Sequence, residues 1–188
     1  MPYDAPPDLA SLSLSEIAEY AAQRKLPPVA SWNPEKTADS MMRIAADGRW
    51  FHRGGEIKRT AMLRAFSSLL RREEDGSYWL VTPYEKQSIE VEDAPFMAVE
   101  MHSEGSGKAR KLAFRLSSDD LVVAAREHEL EMRGSGDNAV PYLHVRGGLW
   151  AKLTRPVYYE LAELALSDNS DDPAVWSSGQ RFAMGAAS

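Results

Sequence analysis

Positively charged side chains flank two threonines at the starts of predicted helices. Lys58 and Arg59 immediately precede the first threonine, and Lys152 and Arg155 lie on either side of the second. A cation beside a helix N-terminus opposes the helix dipole by up to about 1 kcal/mol. Free N–H groups of a first helical turn, together with a cationic side chain, bind phosphate or carboxylate. The pattern therefore predicts an anion-binding site at these helix starts.

An internal ion pair is the competing interpretation of these cations. Glu85, Glu92 and Asp93 are the carboxylates considered as partners. Simple solvation explains the charges equally well, because most surface charges have no function. Both alternatives stay open at the level of the sequence.

No arrangement of residues predicts a metal site or a catalytic centre. The chain has four histidines, none of them paired at i and i+4, and no cysteine, so zinc-type spacing is absent. The sequence Glu90-x-Glu92-Asp93 resembles a paired-carboxylate site, but a turn before Pro95 is the favoured interpretation. The glycine pairs at 105/107 and 134/136 complete neither a dinucleotide-binding nor a P-loop motif. We therefore expect no cofactor and no metal, and an enzyme is the least favoured function because no nucleophile, base and orienting group occur together.

Composition is that of a globular protein of one large or two small domains. The 188 residues are 44% hydrophobic and 27% charged. A net charge of −6 gives no general attraction to nucleic acid or to an anionic membrane, so neither is expected as a partner. The absence of cysteine excludes disulfides. The N-terminal sequence resembles no signal peptide, and no apolar run reaches the roughly 20 residues of a membrane span. We expect a cytoplasmic protein.

Local signals predict the elements that position these residues in the first part of the chain. Ser13 and Glu16 form a capping-box pattern, which predicts a helix to about Arg24. An extended arm with Trp32 follows over residues 28–34. Asp47-Gly48 predicts a hairpin between strands at 41–45 and 50–52. A short strand at 56–58, a Thr60-capped helix with an apolar face, and strands at 78–82 and 88–91 complete this half.

The second half shows a similar succession of elements. Strands are predicted at 96–101, 111–116, 121–123, 142–145 and 149–152. Thr154 then caps a helix whose predicted inward face consists of Val157, Tyr158, Leu161, Leu164 and Ala165. Strands at 174–177 and 181–183 end the chain.

A motif that occurs once in each half indicates an internal duplication. Arg53-Gly54-Gly55 recurs as Arg146-Gly147-Gly148, 93 residues later. Each copy is followed by a strand, a threonine-capped helix and a tryptophan-containing strand, so order, cap and period agree. The expected fold is α+β, with a duplicated strand–strand–helix–strand core and mostly antiparallel sheets. The predicted units are an N-terminal helix and arm over 1–32, a first repeat domain over 33–94 and a second domain over 95–188.

Several longer motifs resemble a known bacterial family. They include Thr82-Pro83-x-Glu85-Lys86, the run Glu92-Asp93-Ala94-Pro95-Phe96, and Leu149-Trp150-Ala151-Lys152-Leu153. These are similar to domain-of-unknown-function family 1285 (DUF1285) across most of the chain from about Trp32. The resemblance implies a duplicated α+β core and a C-terminal half like a pleckstrin-homology domain. It also implies a nucleotide-like ligand between the halves and a role in signal transduction, with no established activity.

Taken with the anion site, the resemblance yields a non-catalytic sensor as the first hypothesis. Cationic side chains would bind phosphate, Thr82 or Glu85 would bind sugar or base, and an aromatic ring would stack on the base. The predicted ligand-binding residues are Arg59, Thr82, Glu85, Phe96, Trp150, Lys152 and Arg155. The alternatives are a module that binds a signalling protein without a small ligand, and a phosphate-handling enzyme with Glu85 or Asp93 as its base.

Overall fold

The computed structural model of the protein describes residues 11–185. The first ten residues of the predicted N-terminal unit and the last three of the predicted second domain lie outside the described residues. Within this range the structure has three α-helices, two six-stranded sheets and a separate two-stranded sheet.

The helices are α1 (Leu14–Gln23), α2 (Thr60–Ser68) and α3 (Arg155–Asp168). The first sheet, sheet A, contains β1 (Lys36–Ile44), β2 (Trp50–His52), β3 (Gly55–Glu56), β4 (Leu70–Arg72), β5 (Tyr78–Val81) and β6 (Glu85–Val91). The second, sheet B, contains β7 (Phe96–Glu104), β8 (Lys111–Leu116), β9 (Leu121–Val123), β10 (Leu130–Arg133), β11 (Val140–Arg146) and β12 (Leu149–Leu153). The remaining hairpin is β13 (Ala174–Ser177) with β14 (Gln180–Ala183).

The two large sheets share one topology. Sheet A has the strand order β3-β2-β1-β6-β5-β4, and sheet B, starting from its other edge, has β9-β8-β7-β12-β11-β10. Each is a pair of antiparallel three-stranded meanders whose first and sixth strands meet in parallel at the centre. The prediction of mostly antiparallel sheets is confirmed, because these two central pairs are the parallel ones among the described strands.

The shared topology aligns the two halves differently from the Arg-Gly-Gly motif. Corresponding strands β1 and β7 begin at Lys36 and Phe96, and β4 and β10 begin at Leu70 and Leu130, 60 residues apart in both pairs. The sequence alignment on Arg-Gly-Gly, 93 residues apart, instead equates β2 and β3 at the edge of sheet A with β11 and β12. Because β12 is central in sheet B, that predicted equivalence is wrong at the level of the whole sheet. The two six-stranded sheets are the units that correspond, which is consistent with duplicated halves. The helix follows the third strand in one half and the sixth in the other.

The two Arg-Gly-Gly sequences also differ locally. In the first, His52 pairs with Gly55, and Arg53 and Gly54 form the two-residue turn with φ of 49° and 82°. In the second, Gly147 and Gly148 form the turn, with φ of 52° and 76°. Both are left-handed hairpin turns of the kind that suits twisted strands. The Arg-Gly-Gly sequence is therefore shifted by one residue relative to the turn. Arg53 is the first residue of its turn, whereas Arg146 is the last residue of its strand.

The helix starts agree with the sequence for α1 and differ for α2. Ser13 and Glu16 form the predicted capping box, in which each side chain bonds the other residue's backbone N–H. Thr60, the predicted cap of α2, is the first helical residue instead, and Arg59 occupies the N-cap position. Thr154 does occupy the N-cap of α3, but its side chain accepts no capping hydrogen bond. The first turns of α2 and α3 thus lack the side-chain acceptors that the sequence predicted.

One contiguous core of buried apolar side chains contains residues of both sheets and of α3. Ile44, Trp50 and Leu80 come from sheet A, and Phe114 and Leu143 from sheet B. Alternation along each strand turns these residues to one face of each sheet. A smaller cluster, in which Leu14 and Ile17 of α1 meet Ala113 and Leu121 of sheet B, is separate from it.

The N-terminal arm contacts both halves. Helix α1 packs on β8 and β9 of sheet B. Beyond it, the arm forms a 3-10 turn at Val29–Ser31 where the sequence predicted an extended stretch. Arg71 of β4 donates to the carbonyl oxygens of Val29, at 3.0 Å, and Trp32, at 2.6 Å. The arm therefore covers the β4 edge of sheet A while its helix lies on sheet B.

We expect Leu161→Ala to destabilise the fold by about 2–5 kcal/mol, because this α3 side chain is fully buried. Phe66→Ala should fall near the lower end of that range, since Phe66 is only half-buried beside Trp50. Urea denaturation measures both free energies of unfolding. The control is Leu166→Ala on the same helix, where the leucine is 53% exposed and a change within about 0.5 kcal/mol is expected. Equal midpoints for Leu161→Ala and the parent would contradict the assigned packing of α3.

Candidate functional site

A cleft of about 820 Å³ lies at the junction of the two halves. Ala46 and Asp47, from the β1–β2 turn of sheet A, form one wall. The other walls come from β7, from residues 136–140, and from the segment that joins β12 to α3. The lining residues with polar or aromatic side chains are Asp47, Asp137, Asn138, Lys152, Thr154, Arg155, Tyr158 and Tyr159. Its volume is within the range of about 300–1,000 Å³ that is typical of small-molecule sites.

Lys152 is held at the cleft by an ion pair with the segment that links the sheets. Its Nζ lies 2.7 Å from Oδ2 of Asp93. The hydroxyl of Tyr142 donates to the same carboxylate, at 2.8 and 3.0 Å from its two oxygens. The alternative interpretation of this cation, an internal ion pair, is thus confirmed for Lys152. Asp93 lies in the turn before Pro95, as the favoured interpretation of the acidic run predicts.

The environment of Tyr142 keeps its phenol neutral. Burial, followed by the hydrogen bond to the Asp93 carboxylate, raises the pKa of Tyr142 to about 12. A negative phenolate beside a carboxylate in a partly buried site is unfavourable on both counts. Tyr142 therefore acts here as a hydrogen-bond donor that positions Asp93 and, through it, Lys152.

Arg155 differs from Lys152 because its side chain is exposed at the cleft. It is the first residue of α3, and Pro156 follows it. The first turn of a helix has N–H groups without intrahelical partners, Pro156 has no N–H, and no side chain caps this turn. The backbone N–H groups of Arg155 and Val157 and the guanidinium of Arg155 thus form a set of donors at one end of the cleft.

Two of the predicted aromatic contacts are placed differently. Phe96 is only 1% exposed, so the prediction that it stacks on a ligand is wrong. It points into the core, and the Arg146 guanidinium lies 5.4 Å from its ring centroid. Trp150 is half-buried outside the cleft lining, with the Arg133 guanidinium 4.3 Å from its ring. Trp150 and Lys152 share one face of β12, because they are two residues apart on a strand.

Three further predicted residues do not line the cleft. The Thr82 hydroxyl donates to the Glu85 carbonyl and accepts from its N–H, which closes the β5–β6 turn. Glu85 pairs with Lys36 at 3.0 Å, and the hydrogen bond from this lysine is the first cause that lowers the pKa of Glu85. Strand β6 begins at this turn and runs toward the cleft. The turn that contains Thr82 and Glu85 is therefore about 20 Å from the end of β6 that is nearest the cleft. Arg59 is exposed at the start of α2.

The sequence missed the two tyrosines of the cleft. Tyr158 and Tyr159 have stacked rings with centroids 6.1 Å apart, and Tyr159 is 60% exposed. The pattern placed Tyr158 on the buried face of its helix, and it is half-buried. Their position four and five residues after the N-cap, one turn from Arg155, was the signal that was available.

Within residues 11–185 no group of three or more metal-binding side chains comes together. No helix in the same range is long and apolar enough to cross a membrane. Of the two carboxylates that line the cleft, Asp47 is ion-paired with Arg49 at 2.7 Å.

Two family models match consecutive parts of the chain. The N-terminal domain of DUF1285, a domain of unknown function, matches residues 27–94, and the C-terminal domain of the DUF1285 protein of unknown function matches residues 95–184. The chain belongs to the DUF1285 family. The change from one family domain to the next coincides with the turn that carries Asp93, between β6 and β7.

Two solved DUF1285 structures are similar to this chain. A DUF1285 family protein from Silicibacter pomeroyi DSS-3 is 39% identical, with a TM-score of 0.79 over 90% of this chain and 94% of that one. A DUF1285 family protein from Shewanella baltica OS155 is 29% identical, with a TM-score of 0.53 over 66% of this chain and 92% of that one. No curated protein matches.

We predict that Tyr142→Phe removes a tyrosinate transition near pH 12 from an ultraviolet titration. The neutral phenol is favoured in the fold, so its contribution to stability is complete below its ordinary pKa of 10.0 and is lost as the pH rises through about 12. The control is Tyr84→Phe, which removes a tyrosine that is 85% exposed and should leave the transition near pH 12 in place. Persistence of the high transition in Tyr142→Phe would contradict the assignment.

Proposed function

We propose that this protein is a non-catalytic sensor that binds a nucleotide-like or other anionic small ligand in the cleft between its halves. The observation that carries the proposal is the set of donors at the start of α3, where Arg155 and an uncapped first turn face a cleft of ligand size. An anion at this position compensates for a cation that the helix dipole disfavours.

Aromatic rings next to these donors support a ligand with a planar part. Tyr159 lines the cleft and is 60% exposed, and its ring packs against that of Tyr158. A nucleobase stacks on such a ring while its phosphate is bound by Arg155, because base–aromatic stacking needs only an accessible ring face. Asn138, which also lines the cleft, adds an amide that both donates and accepts hydrogen bonds.

The charges of the cleft favour a ligand with few negative charges. Lys152 is neutralised by Asp93 and Asp47 by Arg49, which leaves Arg155 and Asp137 as its exposed charges. A monophosphate next to Arg155 and away from Asp137 satisfies this arrangement. A triphosphate finds too few cations here, since each added phosphate needs further cationic partners.

A protein partner is the second candidate, supported by the outer face of α3. Tyr159 and Leu166 are two turns apart on this helix and are 60% and 53% exposed. Exposed apolar side chains at this spacing form one stripe, which suits a protein contact. On this proposal the C-terminal half, compared above with a pleckstrin-homology domain, presents α3 to a signalling protein.

We expect Arg155→Ala to weaken nucleotide binding about ten- to a hundredfold, because a charge-assisted hydrogen bond is worth about 1.5–3 kcal/mol. A thermal-shift panel of nucleoside mono-, di- and triphosphates identifies the ligand, and titration calorimetry measures the affinity. The free energy of unfolding without ligand should be unchanged or slightly higher, since an unfavourable dipole interaction is removed.

The matched control is Arg59→Ala, which deletes the same charge at the start of α2, outside the cleft. It should leave the affinity unchanged. Loss of stability by several kcal/mol in ligand-free Arg155→Ala would show an internal ion pair instead. Two results together would favour the protein-binding function: no nucleotide of the panel raises the melting temperature, and a protein partner binds the parent but not the Tyr159→Ser variant.

A further inference from the structure

A second cavity lies beneath α1, where the arm covers sheet B. Its volume is about 230 Å³, and it shares no lining residue with the cleft between the halves. Tyr20, Ala21 and Leu26 of the arm form its outer wall. Residues 120–122 and the end of β11 form its inner wall. The cavity is therefore bounded by the arm on one side and by sheet B on the other.

Apolar side chains supply most of this lining. Leu121 and Val122 of β9 are buried, as is Val145 of β11. Tyr20 and Leu26 face them from the arm. A dry cavity of about 150 Å³ accommodates a benzene molecule, so this one has room for an aromatic or short aliphatic body with one polar group.

Two guanidinium groups and one carboxylate enter the same cavity. Asp120 is ion-paired with Arg24 of the arm, and the Ser118 hydroxyl donates to it at 2.7 Å. Arg146 donates through Nη2 to the Ser67 carbonyl at 2.8 Å, and it forms no ion pair among residues 11–185. The cavity thus holds one more cation than anions.

The surroundings of Arg146 make this excess charge costly. Burial, the largest cause, lowers the pKa of its guanidinium. The Asp120 charge opposes this shift, and the Arg24 charge adds to it. Desolvated cations are normally compensated by an anion or by hydrogen-bond acceptors. A carboxylate fits the planar fork of a guanidinium in two-point contact.

His128 adds a further polar group to the lining. Its Nδ1 lies 3.2 Å from the carbonyl oxygen of His144. A carbonyl oxygen only accepts, so Nδ1 carries the proton and Nε2 is the remaining ring nitrogen for another partner. The polar lining of the cavity thus comprises Arg24, Asp120, Arg146 and the His128 ring.

We propose that this cavity binds a small monocarboxylate with an apolar body, and that α1 closes over it. The carboxylate contacts Arg146 and Arg24, and the body packs against Leu121, Val122 and Val145. A bare phosphate ion is a poor occupant, because most of the wall is apolar and leaves its oxygens without donors.

The packing of α1 suits a movable wall. The helix is attached through the small cluster of Leu14 and Ile17 with Ala113 and Leu121, which is separate from the core that joins the two sheets. Elements outside the main core open at lower free energy than the fold as a whole. A ligand beneath α1 adds contacts to it, so binding and closure of the helix are coupled.

The proposal is tested by titration calorimetry of the full chain with sodium benzoate. Benzamide, which has the same ring without the charge, is the matched control ligand, and inorganic phosphate is the control anion. We expect one benzoate site, about tenfold or more weaker binding of benzamide, and no binding of phosphate. Hydrogen exchange of the α1 amides should slow when benzoate is bound.

Two variants of α1 locate the site. Ala21→Met fills the cavity with a good helix former and should abolish benzoate binding, whereas Ala22→Met, at an exposed neighbouring position, should bind as the parent does. Arg24→Gln removes one cation and should lower benzoate affinity about tenfold or more. Arg155→Ala should leave it unchanged, which separates this site from the cleft.

Several outcomes would overturn the proposal. The first is that benzoate gives no heat of binding up to about 10 mM, which is ten times a Kd of 1 mM. The second is that benzamide binds as tightly as benzoate. The third is that Ala21→Met binds benzoate with the affinity of the parent. Phosphate that displaces benzoate would indicate a simple anion site. If Ala21→Met fails to fold, Arg24→Gln and the α1 exchange rates decide alone: unchanged affinity or unchanged exchange rejects the site.

Discussion

The shared apolar core of the two sheets is the constraint on which the rest of the structure depends. Each six-stranded sheet has one apolar face, and such a face is stable only when another layer covers it. Ile44 and Trp50 of sheet A belong to the same contiguous cluster as Phe114 and Leu143 of sheet B. The halves therefore stabilise each other, and both cavities lie at the margins of this core, where polar side chains begin.

The backbone of sheet A approaches sheet B closely at the junction, and this limits which residues can occupy the β1–β2 turn. Gly48, in the β1–β2 turn, has φ of 87°, and a Cβ on it would lie 2.4 Å from Cγ of Met97 in β7. Arg146 donates to the last turn of α2 through the Ser67 carbonyl, where a cation is favoured by the helix dipole. These contacts fix where sheet A meets sheet B and so define the shape of the cleft beside them.

Local signals predicted most of the elements but not β4 and β10, and they did not predict the long-range strand pairing. The capping box of Ser13, the Asp47-Gly48 hairpin and the strands at 111–116 and 121–123 all depend on neighbouring residues, and all are present. The parallel pairing of β1 with β6 joins residues about fifty positions apart, and no local pattern encodes it. Arg-Gly-Gly misled the alignment because the same letters suit any left-handed two-residue turn.

The candidate site was predictable to the same extent. Lys152 and Arg155 meet at one cleft because a strand end and a helix start are adjacent in the chain. Thr82 and Glu85 were chosen from a motif, and their hydrogen bonds show a turn-closing role. Phe96 and Tyr159 could not be distinguished by residue type, since packing of the sheets alone determines that one aromatic is 1% and the other 60% exposed.

Charged groups at the junction act on geometry more than on stability. Apolar burial drives association without a preferred direction, so a core of this kind would tolerate several relative positions of the two sheets. Asp93 has two partners from sheet B, Tyr142 and Lys152, and Arg146 reaches a single carbonyl of α2. A displaced arrangement leaves these half-buried groups unpaired, which costs more than the pairs contribute in the native position. The Asp93–Lys152 ion pair and the Arg146 hydrogen bond thus lie where the two halves must meet in one way.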